Sequence, residues 1–378
     1  MRNFIEIVGF EYKKMLMQKS AYIVVSLVLL FAVLNPIIRF MPGFSPADEI
    51  SAWERMTIYR SYARELSGRT IDAALFEEAF RHGYLTPEGV WRFHILNWMP
   101  YISAEDFEYF YDIRHKQVSE NINAFYVRNL ISAQSVEHML NADRQTPTPW
   151  VFEYTEGYSR FFNGMNALIT VLAFAVAVCV APIFAREHST SVAQLILTSK
   201  HGKRKLVSAK ILTAVSFTAI LSLIFFAITY LMFMAVYGFD GAGAPFQLVS
   251  LFSPYPITIG QAALIIVFSS AVRIVFFGAF LLWLSSKLKS SFAVMIFAGV
   301  WIFLSMMFYL TVPIVWLFNL SRLFINALPN TRWVFYIVPY EIFGLTVFPF
   351  IFEPVFAVVM SIIFLPLAGR AFMRHQIQ

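Results

Sequence analysis

The residues best placed to do chemistry lie in a polar and basic stretch between two long apolar runs. This stretch is residues 184–211, with the sequence FAREHSTSVAQLILTSKHGKRKLVSAKI. Ser191 and Gln194 have the serine-x-x-glutamine spacing of a capping box, which predicts that a short helix begins there. Leu195 and Ile196 lie on its apolar face, and a basic last turn with a glycine stop follows. Such an amphipathic helix is suited to bind in a groove of a partner protein. The alternative is a basic hairpin that lies on anionic lipid.

A second candidate site consists of ionisable residues within apolar segments. Arg273 lies near the middle of the fourth such segment, and Glu353 lies in the sixth. A charge in the hydrocarbon core is costly without a partner, so such residues are functional candidates by default. Arg273 could pair with Glu353 or bind a polar group of a substrate. The alternative is an interhelical hydrogen bond that only fixes the arrangement of the helices.

Motifs for catalysis are missing from the sequence. The phosphate-binding pattern G-x-x-x-x-G-K-[ST] does not occur, because Gly202-Lys203 lacks the preceding glycine and the following hydroxyl residue. None of the seven histidines has the H-E-x-x-H spacing of a zinc protease. No nucleophile, base and orienting group stand at motif spacing, which disfavours a membrane enzyme. We therefore expect no catalytic residue, no metal site and no cofactor on this chain.

Composition defines the environment of these residues. Hydrophobic residues make up 58% of the 378, and the mean hydropathy is +0.64. Both values exceed ordinary globular usage and indicate a polytopic membrane protein. Residues 41–160 carry 17 acidic and 11 basic side chains, whereas the rest of the chain carries 6 acidic and 18 basic ones. The bases cluster beside apolar segments rather than on one soluble face, which argues against a nucleic-acid partner.

Six apolar segments approach or exceed the roughly 20 residues that a helix needs to cross a bilayer. They are residues 21–40, 165–184, 211–237, 261–284, 292–311 and 348–367. Residues 312–347 are broken by three prolines and are predicted to form short interfacial or re-entrant helices. The predicted fold is therefore an all-α integral membrane protein with six transmembrane helices.

The remaining segments complete the predicted domain organisation. Residues 1–19 have apolar and basic side chains at helical spacing, which predicts an N-terminal interfacial elbow helix that contacts lipid head groups. The first span is residues 20–40, and residues 41–162 form a large α-helical extracytoplasmic insert between spans one and two. Residues 163–378 hold the other five spans and a cytoplasmic loop at residues 185–210.

Basic residues set the expected orientation in the cell membrane. With the N-terminus inside, the cytoplasmic segments hold 14 lysines and arginines. The outer loop at residues 238–260 holds none, and residues 312–347 hold only Arg322 and Arg332. The positive-inside rule then places both termini in the cytoplasm and the insert outside.

The loop at residues 185–210 resembles the cytoplasmic loop of ABC-2-type exporter permeases. The resemblance is carried by Glu187, the Ser189-Thr190-Ser191 cluster, the Leu195-Ile196-Leu197 run, Lys203-Arg204 and Lys210. Ser189, Ser199 and Ala209 depart from the residues that are usual in the family. The six-span layout with an elbow helix is also similar, so the resemblance covers most of the chain except the insert.

The resemblance implies a transmembrane subunit that depends on a separate ABC ATPase subunit, with ATP and Mg bound by that partner. A second permease subunit, identical or not, completes the membrane dimer. Residues 191–198 correspond to the helix that contacts the ATPase. The positions implied in coupling are Glu187, Ser191, Gln194, Leu195, Ile196, Lys203, Arg204 and Lys210. The alternative function is a non-transporting membrane sensor or immunity protein, whose outer domain binds a ligand and whose cytoplasmic loop engages a partner.

Overall fold

The structure, a computed structural model, describes residues 2–40, 51–81, 104–190, 202–307, 314–320, 322–323, 335 and 338–374. The described chain is predominantly helical. Its helices are α1 (Arg2–Leu16), α2 (Lys19–Phe40), α3 (Ala52–Leu66), α4 (Ala73–Arg81), α5 (Phe110–Val127), α6 (Ala133–Arg144), α7 (Glu156–Val180), α8 (Pro182–Ser189), α9 (Val207–Tyr237), α10 (Ile259–Lys287), α11 (Ser291–Met307), α12 (Val315–Leu320) and α13 (Pro349–Met373). A short antiparallel hairpin of β1 (Tyr340–Ile342) and β2 (Leu345–Val347) precedes α13.

Five of these elements are long and apolar enough to cross a membrane, namely α2, α7 continued by α8, α9, α10 and α13. They coincide with five of the six predicted spans and are consistent with a multi-pass membrane protein. The remaining predicted span, residues 292–311, corresponds to α11, an apolar helix of 17 residues. Residues 308–311 of that prediction lie outside the described residues.

The spanning helices form one bundle. α10 and α13 lie side by side, and α9 contacts α2, α7 and α10. Gly278 allows the close approach of α10 to α9, because a Cβ at this position would lie 3.1 Å from Oγ1 of Thr218. The opposite face of α13 exposes Ile351, Val355 and Ile362, as expected for a helix that faces lipid.

Local sequence explains where the helices begin. Thr258 and Gln261 form a complete capping box at the start of α10. Ser51 and Ser132 cap α3 and α6 through their hydroxyl oxygens. Asp72 accepts a hydrogen bond from the backbone of Leu75 at the start of α4.

The predicted insert is mostly helical where it is described, and buried polar contacts join it to the end of α9 and to the segment between α9 and α10. The guanidinium of Arg114 donates to the carbonyl oxygens of Leu251 and Ser253 at 3.0 and 2.6 Å and also contacts Asp143. On the other flank, Tyr154 donates to the carbonyl oxygen of Tyr237, the last residue of α9, at 2.7 Å. The insert is therefore fixed to one end of the bundle, which we call the insert side.

The opposite end of the bundle is called the loop side, because residues 191–201 connect α8 to α9 there. These residues lie outside the described part of the chain, so the short helix predicted at 191–198 stays a prediction. The β1–β2 hairpin was not predicted. It is held against α6 by Glu341, whose carboxylate accepts from the backbone of Ser132 and the hydroxyl of Ser135, both at 2.6 Å.

Candidate functional sites: two buried charge clusters

The first site is a four-residue ion network at the loop side, formed by Glu11, Lys14, Glu187 and Lys210 and called the loop-side cluster below. Nζ of Lys210 lies 2.7 Å from Oε2 of Glu11 and 2.6 Å from Oε1 of Glu187. Nζ of Lys14 lies 2.8 Å from the same Glu187 oxygen. The two lysines balance the two glutamates in formal charge, so a buried network is formed without excess charge.

Burial differs among the members of the loop-side cluster. Glu11, Glu187 and Lys210 are buried, and Lys210 exposes only 1% of its surface. Lys14 is partly exposed at the edge of the cluster. Burial alone would lower the pKa of Lys14, but its hydrogen bond to Glu187 and the negative charges of Glu187 and of nearby Glu11 outweigh that effect and raise its pKa. Lys14 is therefore charged at neutral pH and holds α1 against α8.

Glu187 is positioned by a serine on a neighbouring helix. The hydroxyl of Ser285 in α10 donates to the carbonyl oxygen of Ala181 at 2.7 Å, where α7 ends. Oγ of Ser285 in turn accepts from the backbone nitrogens of Phe184 and Ala185 at 3.1 and 3.0 Å, in the first turn of α8. Ser285 thus satisfies free backbone groups of α8 and connects the helix that carries Glu187 to α10.

One oxygen of Glu187 is left without a donor. Oε2 is buried and has no hydrogen-bond partner among the described residues. A buried carboxylate oxygen without a partner is unfavourable by about 1–3 kcal/mol or more. Oε2 of Glu187 can therefore accept one further hydrogen bond. Residues 191–201 begin only four positions after Glu187, so they are close in sequence to this free acceptor.

The structure brings together Glu187 and Lys210, two of the predicted coupling residues that are 23 positions apart in sequence. Arg204 is exposed in a π-helical turn, Gly202–Leu206, that leads into α9, and Lys203 lies in the same turn. Ser191, Gln194, Leu195 and Ile196 lie outside the described residues. Sequence reasoning missed Glu11, Lys14 and Ser285. A signal for Glu11 was present, since it lies on the same helical stripe as Val8, Tyr12 and Met15.

The second site lies between α10 and α13 and is called the midspan cluster. Nη1 of Arg273 and Oε2 of Glu353 are 3.7 Å apart, an ion pair without a direct hydrogen bond. Both residues are almost fully buried. Nε of Arg273 donates to the carbonyl oxygen of Ser269 at 3.3 Å, and the Tyr340 hydroxyl donates to Oε1 of Glu353 at 3.2 Å. The pairing of Arg273 with Glu353, one of the predicted alternatives, is present.

Arg322 adds a second guanidinium to the midspan cluster. It lies 4.0 Å from the centre of the Tyr340 ring and donates to the carbonyl oxygen of Val338 at 2.8 Å. Together with Arg273 and Glu353 it lines a cavity of about 10 Å³, enough for about one water molecule. Two arginines and one glutamate give this cluster a formal charge of +1. Arg322 and Tyr340 were not among the predicted site residues.

Comparison with protein-family models, with curated proteins and with solved structures finds no match. Within the described residues, no group of three histidine, cysteine, aspartate or glutamate side chains is arranged to hold a metal ion. The features of this chain that indicate a function are therefore the two charge clusters and the sequence pattern of the loop beside the first of them.

Proposed function

We propose that this chain is the permease subunit of an ABC-2-type exporter, which couples ATP hydrolysis on a separate subunit to outward movement of a substrate. The observation that carries the proposal is the contact between Lys210 and Glu187. These residues flank the loop that resembles the ATPase-docking loop of that family, and they meet in one buried network. A displacement of the loop would act directly on this network.

The contacts of the loop-side cluster suggest how such a displacement would spread. Glu187 lies near the end of α8 and Lys210 lies in the first turn of α9, so the two ends of the loop share one salt bridge. Glu11 and Lys14 connect that bridge to α1, and Ser285 connects α8 to α10. Four elements of the bundle would therefore move together when the loop is pushed. ATP and Mg would act only on the partner subunit.

We further propose the following arrangement of the chain in the membrane. Six spans cross the cell membrane, α11 with the residues that follow it being the fifth, and both termini lie in the cytoplasm. α1 lies at the membrane interface as an elbow, and the insert lies outside. Exposed apolar faces on α2, α11 and α13 are available to lipid and to a second permease subunit. The distribution of basic residues supports this orientation.

Glu187→Gln tests the coupling role, because it keeps the size of the side chain and removes its charge. In a purified complex with the ATPase partner, we expect the variant to assemble normally. The permease-dependent rate of ATP hydrolysis should fall by about 5- to 150-fold, the size of an ordinary allosteric coupling. Glu54→Gln, on the exposed start of α3, is the control and should hydrolyse ATP as the wild type does.

Two outcomes of this experiment would count against the proposal. Wild-type rates of ATP hydrolysis in Glu187→Gln would remove the coupling role of the loop-side cluster. Failure of any ATPase subunit to bind the wild-type chain would favour a sensor or immunity protein, since such a protein needs no ATP-driven partner.

A further inference from the structure

A large cleft lies beside the loop-side cluster. It has a volume of about 940 Å³ and is bounded by α1, the start of α2, α8 and the start of α9. This volume is within the range of ligand-binding pockets. Because the cleft lies at the loop-side ends of the spanning helices, it lies at the level where lipid head groups meet water.

The cleft is strongly basic. Its walls carry five cationic side chains, those of Lys13, Lys14, Lys19, Arg186 and Lys210, and two anionic ones, those of Glu11 and Glu187. Lys14 and Lys210 are already paired with the two glutamates. Lys13, Lys19 and Arg186 are exposed and form no ion pair within the described residues. Three positive charges therefore remain for an anionic ligand.

Apolar side chains lie beside these charges. Phe10 and Met17 line the cleft and are 64% and 71% exposed, which is unusual for large apolar residues in contact with water. Ile5 and Leu16 extend the exposed apolar surface of α1. Basic groups next to exposed apolar groups at a membrane interface are typical of a surface that receives a phosphate together with acyl chains.

We propose that this cleft binds the head group of an anionic phospholipid. The lipid phosphate lies among Lys13, Lys19 and Arg186, and the acyl chains lie against Phe10 and Met17. Charge complementarity favours this ligand over a zwitterionic lipid, and the apolar rim favours it over a soluble phosphate. The inference goes beyond the transport role and does not require an ATPase partner.

Lipid retention on the purified chain tests this site. The delipidated protein is returned to nanodiscs with equal amounts of phosphatidylglycerol and phosphatidylcholine of the same chain length, and bound lipids are counted by native mass spectrometry. We expect preferential retention of phosphatidylglycerol. The variant Lys13→Gln/Lys19→Gln/Arg186→Gln should weaken it roughly 100-fold, because each basic group near a membrane surface contributes about 1 kcal/mol of preference for anionic lipid.

The matched control removes the same number of charges from the same end of the bundle. Lys289→Gln/Arg370→Gln/Arg374→Gln changes exposed residues outside the cleft and should retain phosphatidylglycerol as the wild type does. Unfolding midpoints verify that both variants fold. If the cleft variant does not fold, Arg186→Gln alone provides the same comparison with Arg370→Gln.

Three results would overturn the inference. The first is equal retention of the two lipids, and the second is an equal loss of lipid retention in the cleft and control variants. The third is displacement of the lipid by sn-glycerol 3-phosphate, which would assign the cleft to a soluble phosphate.

Discussion

Replacing Lys210 by methionine is expected to destabilise the protein by about 3–5 kcal/mol, the usual result when one partner of a buried salt bridge is removed. Lys210 is the only cation that contacts both Glu11 and Glu187 within the described residues. Without it, Glu11 loses its partner, and Glu187 retains only the partly exposed Lys14. The free energy of unfolding is measured in one detergent by denaturant titration.

A double substitution separates this explanation from a simple packing defect. Adding Glu11→Gln to Lys210→Met removes the charge that is left without a partner. The double variant should therefore recover at least half of the unfolding free energy that Lys210→Met loses. Lys205→Met is the control, since Lys205 is exposed five residues earlier, and its effect should remain within about 0.5 kcal/mol. A loss that Glu11→Gln does not reduce would contradict the electrostatic account of the loop-side cluster.

In the midspan cluster, removal of the carboxylate should cost more than removal of one guanidinium. Glu353→Leu leaves Arg273 and Arg322 around the same small cavity without a counter-charge, and we expect a loss of about 3–5 kcal/mol. Arg273→Leu leaves Glu353 with Arg322 nearby and with its hydrogen bond from Tyr340. We expect a loss of only about 1–3 kcal/mol there. Unfolding titrations of both variants measure the difference.

A transport measurement distinguishes a structural role of Arg273 from a role in substrate binding. If Arg273 only holds α10 against α13, the complex that survives in Arg273→Leu should transport as the wild type does once its lower stability is compensated by cooling. Arg69→Leu, which breaks an exposed pair with Glu78, is the control and should cost less than about 1 kcal/mol. Equal losses of unfolding free energy in Glu353→Leu and Arg273→Leu would contradict the expectation that Arg322 partly compensates Glu353 when Arg273 is removed.

The spanning helices were predictable because bilayer length and apolar composition specify them directly. The observed bounds of α2, α9 and α10 differ from the predicted spans by only a few residues. The β1–β2 hairpin was not predictable in the same way. It contains only three residues per strand, and the contact of Glu341 with α6 joins segments more than 200 residues apart in sequence.

The candidate sites were predictable in part because a charged residue stands out in an apolar segment. Arg273, Glu353, Glu187 and Lys210 are ionisable residues in or beside apolar segments, and such residues are evident from sequence. Their partners were harder to predict because they are ordinary on their own elements. Lys14 is a polar position of an amphipathic helix, and Ser285 is a small residue in a span. Glu11 interrupts the apolar stripe of α1, but the sequence does not show which residue it meets. Only the fold shows that these side chains meet.

Affinity purification from detergent-solubilised membranes of the native host tests whether an ATPase binds this chain through residues 191–198, as we propose. We expect the tagged wild-type chain to retain a subunit with a Walker motif in equal amount. Deletion of residues 191–198 or the pair Leu195→Asp/Ile196→Asp should release that subunit, whereas Lys289→Gln should retain it. Recovery of no ATPase with the wild-type chain, or equal recovery with the deletion, would contradict the account.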